Sequence, residues 1–474
     1  SYTFANAFTQ GPDPVRSSLT AGDAYASMLI GATSSATASI RASISYQTVY
    51  SAGYFQDDIK VNSRLTLNFG LRYDYETPRT ERFNRLSFFD YDAVNPIGRQ
   101  VGLPDLRGGL KFVGVDGNPR GWNDPDRNNF GPRFGFAYQP FRKTAIRGGY
   151  GLMYLPGGTS NNGYGGGQEG FSVATTPIAS ADGGLTPFTL LSNFFADGLQ
   201  QPTGSSLGMR TLLGQGVRGD PRWVRVGYMQ EWSFNVQREL PGQVQVEAGY
   251  VGSRGVKIPT TFQLNSLPDQ FLSLRQSLLD LVPNPFASVV STGTLSRPTV
   301  TRGQLLRPYP HFTGVNFPQN SAGSSSYHSF QMRAERRFSK GLSLTAAYTN
   351  AKLISDTDGL KSGSWIPGEV SVGVQNPNNR RLERSVAPQD VSQRLVLNYI
   401  FELPFGKGKP LLSGSGGLVS ALAGGWTITG ITTLQKGRPI ELTAPNNTNS
   451  YGGGSRPNNN GQSAFVASSD RSLN

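Results

Sequence analysis

The hydrophobic pattern of this chain is an alternation of period two, carried in long runs and repeated in pairs. From Arg64 to Glu76, Leu65, Leu67, Phe69, Leu71, Tyr73 and Tyr75 alternate with Arg64, Thr66, Asn68, Gly70, Arg72 and Asp74. Successive side chains of a strand point to opposite faces, so the run has one apolar face ending in two tyrosines and one charged face. It is longer than the about five to six residues common in soluble sheets. It matches the roughly 9 to 11 residues that cross a bilayer with an apolar face toward lipid and a polar one toward a lumen. Ser45 to Val61, joined through Asn62-Ser63, completes a predicted β-hairpin.

The same pattern predicts four further pairs. Phe130 to Gln139 and Thr144 to Tyr154 flank Pro140 to Lys143, with Phe134, Phe136 and Tyr138 on one face of the first and Ile146, Tyr150, Leu152 and Tyr154 on one face of the second. Arg222 to Leu240 and Gln243 to Ser253 close at Pro241-Gly242; Trp232, Phe234 and Val236 oppose Glu231, Ser233, Asn235 and Gln237, and Val244, Val246, Ala248 and Tyr250 oppose Gln245 and Glu247. Ser324 to Ser339 and Leu342 to Leu353 turn at Lys340-Gly341. There Phe330, Met332, Ala334 and Phe338 share a face that Arg336 interrupts near the turn, where a long side chain can snorkel. Gln389 to Leu403 and Trp426 to Leu434 form the last pair, and Ser1 to Gln10 reads as one further strand.

Between the pairs, Thr77 to Asn129, Leu155 to Pro221, Arg254 to Gly323, the stretch up to Pro388 and the tail after Pro445 show no sustained period and read as loops. Phe271 to Val282 reads as a short amphipathic helix, and Ala24 to Ser39 as loop or short helix. Short connections at one rim and long ones at the other are the outer-membrane pattern; a Greek-key sandwich has no reason to sort them so. The fold expected is all-β: an antiparallel transmembrane β-barrel with short periplasmic turns and long extracellular loops. By parity alone, Arg72, Asp74, Glu231, Glu247, Arg333, Glu335 and Arg394 are the lumen-facing candidates, and wall charges of this kind commonly pair with one another. Tyr75, Tyr154, Tyr250 and Tyr348 fall toward the long-loop ends, where an outer aromatic girdle sits.

Composition agrees with this picture. Only 36% of the 474 residues are hydrophobic, while Gly (59) and Pro (31) are plentiful, as suits strands half of whose positions face water. No run of about 18 apolar residues is present, which excludes a helical span. The net charge of +13 is dispersed, without a Lys/Arg block of five. No nucleic-acid partner is therefore expected, and the basic bias suits outer-membrane lipid, the phosphates of lipopolysaccharide or an anionic solute.

Chemistry-bearing motifs fail on context. Asp124, Asp126 and Asn128 are spaced like the start of a calcium loop, but Asn129 and Gly135 stand where its glycine and closing glutamate belong. Gly163 to Gly170 lacks the Lys-Ser/Thr of a phosphate loop. Gly204-Ser205-Ser206-Leu207-Gly208 has the spacing of a hydrolase elbow without the strand and helix that frame one, and the chain has only His311 and His328. With no cysteine there is no thiolate metal site. An enzyme is not expected, nor a cofactor.

Five stretches are similar to the barrel of TonB-dependent receptors, and to their Oar-like branch. They are Tyr54 to Asp90, Asn128 to Tyr154, Glu231 to Gly255, Ser329 to Leu353 and Phe401 to Ile431. The resemblance implies a gated outer-membrane transporter whose loops and plug bind a scarce solute and which TonB opens through the plug. It also implies about 22 strands, so residues 1–474 are expected to be part of one barrel domain, without the N-terminal plug and the C-terminal strands. Two unpaired edges would then face lipid, and this piece is expected not to fold alone. A plugless passive porin shares every periodicity; a secreted all-β adhesin or carbohydrate-binding protein is set apart by membrane fractionation.

Overall fold

A computed structural model describes residues 1–11, 21–155, 167–175, 186–196, 198–291, 293–339, 341–357, 374–414 and 416–439, with 177, 179, 180, 456 and 461 besides. Its frame is one antiparallel meander of ten strands, each paired with its neighbours in sequence. They are β1 (Tyr50–Asn62), β2 (Leu65–Glu76), β3 (Phe130–Phe141), β4 (Thr144–Tyr154), β5 (Tyr228–Leu240), β6 (Val244–Gln263), β7 (Gly314–Ser339), β8 (Leu342–Ser355), β9 (Gln393–Glu402) and β10 (Thr427–Gln435). The five expected hairpins are all present, and among the described residues the outer edges of β1 and β10 have no strand partner.

Turn chemistry sits where the strands reverse. The Asn62 side chain accepts hydrogen bonds from the Arg64 and Leu65 N–H groups at 2.8 and 3.0 Å, closing β1 on β2. Gly242 and Gln243 take positive φ (79° and 61°) to close β5 on β6. Gly341, at φ 78°, follows Lys340, which lies outside the described residues. The link from β9 to β10 is long and carries a short helix, Gly417–Ala423.

On the apolar face an aromatic lies over a glycine in three cross-strand pairs: Phe136 with Gly148, Trp232 with Gly252, and Tyr399 with Gly430. A Cβ on Gly148 or Gly252 would stand 2.4 Å from the facing ring. The ring thus covers backbone that a glycine leaves bare.

Several boundaries and elements differ from the sequence expectation. β6 runs past Ser253 to Gln263, and β7 begins at Gly314 rather than Ser324. Three register shifts after Val256 explain this, because each puts extra residues opposite one partner and erases the alternation. Ser1 to Gln10 holds a strand only at Tyr2–Thr3, followed by a 3-10 turn at Asn6–Thr9. Ala24–Leu29 is a helix capped by Asp23. Asp269–Leu279 is 3-10 rather than an amphipathic α-helix, broken at Arg275 with φ 45°. The tail after Pro445 and the Gly163 to Gly166 half of the glycine cluster lie outside the described residues, apart from Arg456 and Gly461.

The largest correction concerns the loops. The connections β2–β3, β4–β5 and β6–β7 pack together as a cap with its own hydrophobic core, organised on a ribbon of Ser87–Val94 and Arg107–Phe112. Leu86, Phe88, Val113 and Trp122 enclose Val224 in one cluster. Phe89, Leu110 and Phe112 meet Val217, Phe312 and Val315 in a second, and Ile97 and Leu106 meet Phe286, Val290 and Leu295 in a third. Among the described residues of the ten strands, only Val315 and Ala351 are buried hydrophobics. Buried asparagines fasten the cap: Asn265 donates to the Tyr309 and Phe312 carbonyls (2.9 and 2.8 Å) and accepts from Tyr309 N–H. Asn284 does the same across Leu295, Arg297 and Phe286.

A buried charge cluster lies in the same cap. The Asp220 side chain, in a residue 1% exposed, takes Arg218 Nη2 at 2.6 Å while its Oδ1 has no partner. Glu169 accepts from the Arg218 N–H at 3.1 Å. Burial, only partly offset by Arg218, pushes the Asp220 carboxyl up to about 6 and raises Glu169 as well.

Two outcomes follow. Trp122→Ala, which opens a cavity and frees the Ser87 carbonyl that the indole N–H holds at 3.0 Å, should destabilise the cap by about 3–5 kcal/mol, read as lost amide-exchange protection in Ser87–Phe112. A folded-state carboxyl raised above its unfolded value of 3.8 contributes stability that is full below that value and lost as pH rises to about 6. Exchange protection of the cap should therefore fall from pH 4 to pH 6.5, and Asp220→Asn should flatten that slope.

Candidate functional site

The pairing registers can be followed from β1 to β10, and they assign every strand position to one of two faces. Arg72 and Asp74 on β2 share a face with Gly131 and Arg133 on β3, since Gly131 pairs with Arg72 and Arg133 with Gly70. Through Arg133 with Gly151, Gly151 with Glu231, and Gln237 with Glu247, that face passes to β5 and β6. Glu247 pairs with Arg333, Gln245 with Glu335, and Thr349 with Arg394, which carries it to β9. All seven charged candidates thus stand on one face of the sheet. Tyr75, Tyr154, Tyr250 and Tyr348 stand on the other.

Within the charged face the structure makes pairs of some and leaves others. Arg72 Nε lies 2.9 Å from Asp74 Oδ1, and Arg72 Nη2 donates to the Tyr50 hydroxyl at 3.0 Å; the Tyr50 hydroxyl also donates to Asp74. Arg333 and Glu335 pair at 2.8 Å. Both are i, i+2 pairs of opposite sign on one strand face. Among the described residues Glu231, Glu247 and Arg394 form no ion pair, although Glu247 stands opposite Arg333. Arg394 borders a cavity of about 290 Å³ with Tyr327, Gln331, Thr349 and Asp390.

The opposite face is apolar and exposed. Phe69, Phe134, Phe136 and Phe234 form a chain of ring contacts across β2, β3 and β5 at 5.2 to 6.5 Å, and Phe234, Tyr250, Phe330 and Met332 are all more than a third exposed. Asp57, which pairs with Phe69 on the edge strand β1, is a charge on this face that the alternation of β2 did not reveal.

The cap adds groups that the strand pattern cannot show. A cavity of about 480 Å³ is lined by Gln100, Gln200, Gln201 and Gln215 around Val289 and Arg210, within the size range of small-molecule sites. Its lining comes from three different connections and its amides from two of them, so sequence alone holds no spacing that would have united them.

The motifs set aside on sequence stay structural. Asp124 Oδ1 pairs with Arg222 Nη2 at 3.1 Å, and Asp126 accepts from Val226 N–H at 2.9 Å, fastening the cap to the start of β5. Ser206 Oγ donates to the Thr203 carbonyl in a run of turns, with no strand before it or α-helix after it. His311 is fully buried, bonded to the Gly108 carbonyl at 3.0 Å, and burial lowers it to about 4.

Comparison with known proteins bears on this architecture. The chain is similar in structure to the alcaligin outer membrane receptor FauA of Bordetella pertussis (9% identity, TM-score 0.29, 76% of this chain and 36% of that one). It is also similar to the outer membrane transporter YddB of Escherichia coli (10%, 0.36, 86% and 45%). A third likeness is the ferric-catecholate import receptor Fiu of E. coli K12 (9%, 0.32, 76% and 33%). The chain therefore spans less than half the length of each. No curated protein matches it. The model of the outer membrane beta barrel domain family matches residues 1–474, and the chain belongs to that family, in the outer membrane.

Proposed function

We propose that this chain forms wall and outer vestibule of a TonB-dependent transporter that takes up a scarce solute across the outer membrane by energy-coupled gating, with TonB acting through a plug domain. The observation that carries the reading is the combination of a charged wall face with a packed cap over its long-loop end. A cap with three hydrophobic clusters is a built entrance rather than a set of loose loops. The five stretches that resemble TonB-dependent receptors support it further.

On this reading Arg72, Asp74, Glu231, Glu247, Arg333, Glu335 and Arg394 face the lumen. Arg72–Asp74 and Arg333–Glu335 neutralise each other in the wall, leaving Glu231, Glu247 and Arg394 to meet a plug or a solute. Tyr75, Tyr154, Tyr250 and Tyr348 belong to the lipid-facing girdle. The cap cavity favours a polar solute that is neutral or anionic, because its glutamine amides donate and accept without adding charge and Arg210 is, among the described residues, the one charged residue of its lining.

The absence of native cysteine makes the orientation directly testable. Glu247→Cys and Arg394→Cys should react with a water-soluble, membrane-impermeant maleimide, whereas Phe234→Cys and Met332→Cys should react at least tenfold more slowly until the membrane is dissolved; the reverse order would invert the two faces. Energy coupling is tested by following which solutes cells remove from a defined medium. Removal that depends on this protein should fall to background when TonB is deleted, and removal that survives deletion would mean a passive pore.

A further inference from the structure

A basic row crosses the apolar face near the long-loop end, and the wall has no use for it. On β6, β7 and β8 the registers Arg254 with Ser326, Gly252 with His328, and His328 with Lys352 place Arg254, His328 and Lys352 side by side on the lipid face. All three are exposed. Arg254 and Lys352 are separated by two strand spacings and by two residues along the strand, about 12 Å in all, a gap that two long side chains can close over the ring between them. Tyr250 OH lies 2.5 Å from His328 Nδ1 and stacks on the ring. With the hydroxyl donating, Nε2 carries the proton and is left as an outward donor.

The surroundings of the row are apolar or neutral. On the lipid face of β5 to β8 the sequence places no Asp or Glu, so nothing on that face neutralises the row. Trp232 stands level with His328, below come Phe234, Tyr250, Phe330 and Tyr348, and the face next meets charge at Arg238 and Arg336 beside the short turns. From Arg254 to Val244, the β6 partner of Arg336, is ten residues, roughly 25 Å of height for a strand tilted as in outer-membrane barrels. That equals the apolar band of such a barrel, which puts the row at the level of the outer leaflet's headgroups.

We propose that Arg254, His328 and Lys352 form a binding site for the phosphate of an anionic lipid headgroup in the outer leaflet. The inference rests on the barrel orientation, not on the identity of the solute. Two guanidinium or ammonium groups and one imidazole N–H converge on one phosphate, while the aromatics beneath hold the acyl chains.

The test uses protein extracted from outer membranes in mild detergent, with retained phosphorylated lipid counted by native mass spectrometry. Wild type should keep about one such lipid per chain, and inorganic phosphate in excess should not displace it. Arg254→Ser with Lys352→Ser should retain it roughly thirtyfold less, from two basic side chains lost at an anionic surface. Arg238→Ser with Arg336→Ser, beside the short turns, should retain it as wild type does. Heat-modifiable gel mobility shows that each variant is folded. Equal retention by both pairs, or displacement by free phosphate, would overturn the site. Wild type absent from the outer-membrane fraction would overturn it too, through the barrel orientation beneath it, while transport without TonB would leave it standing.

Discussion

Everything in this molecule hangs on the backbone ladder of β1 to β10. Hydrocarbon offers no partner for a peptide N–H or C=O, so each spanning strand must find both on its neighbours. The meander meets this demand in the simplest way, by pairing each strand with the next in sequence. Once the ladder is fixed, the side chains have only two places to go, and the two faces take opposite characters.

That constraint also explains what could be read from the sequence. A face against lipid tolerates few polar side chains, so the period of two survives over a dozen residues of β2, and the hairpins follow from it. Charge pairs such as Arg72 with Asp74 are legible too, being two residues apart on one polar face. The alternation stops at the bulges after Val256, where β6 and β7 leave the regular ladder, and it does not report an isolated charge such as Asp57. The cap was hidden for a different reason. Its clusters join Phe89, Val217 and Phe312, residues nearly a hundred positions apart at their nearest, and no local pattern marks them as neighbours.

Wall and cap are thus stabilised by different physics. The wall buries almost no side chain among the described residues and holds through hydrogen bonds and its contact with lipid. The cap is an ordinary aqueous fold, with aromatic clusters, buried asparagine fasteners and a carboxylate that burial makes hard to ionise. Tyr73 of β2 ties the two by donating to the Arg127 carbonyl at 3.1 Å, and within the cap Arg222 joins two connections, pairing with Asp124 and standing over the Phe88 ring at 5.2 Å.

The packed cap changes what the cell surface presents to the outside world. Loops without a core offer linear peptide targets that survive denaturation. Here the outermost residues are positioned by the ribbon Ser87–Val94 with Arg107–Phe112 and by side chains drawn from three connections. An antibody or bacteriophage that adheres to this surface must recognise its folded shape, so escape can come from a buried substitution that no adhering molecule ever touches.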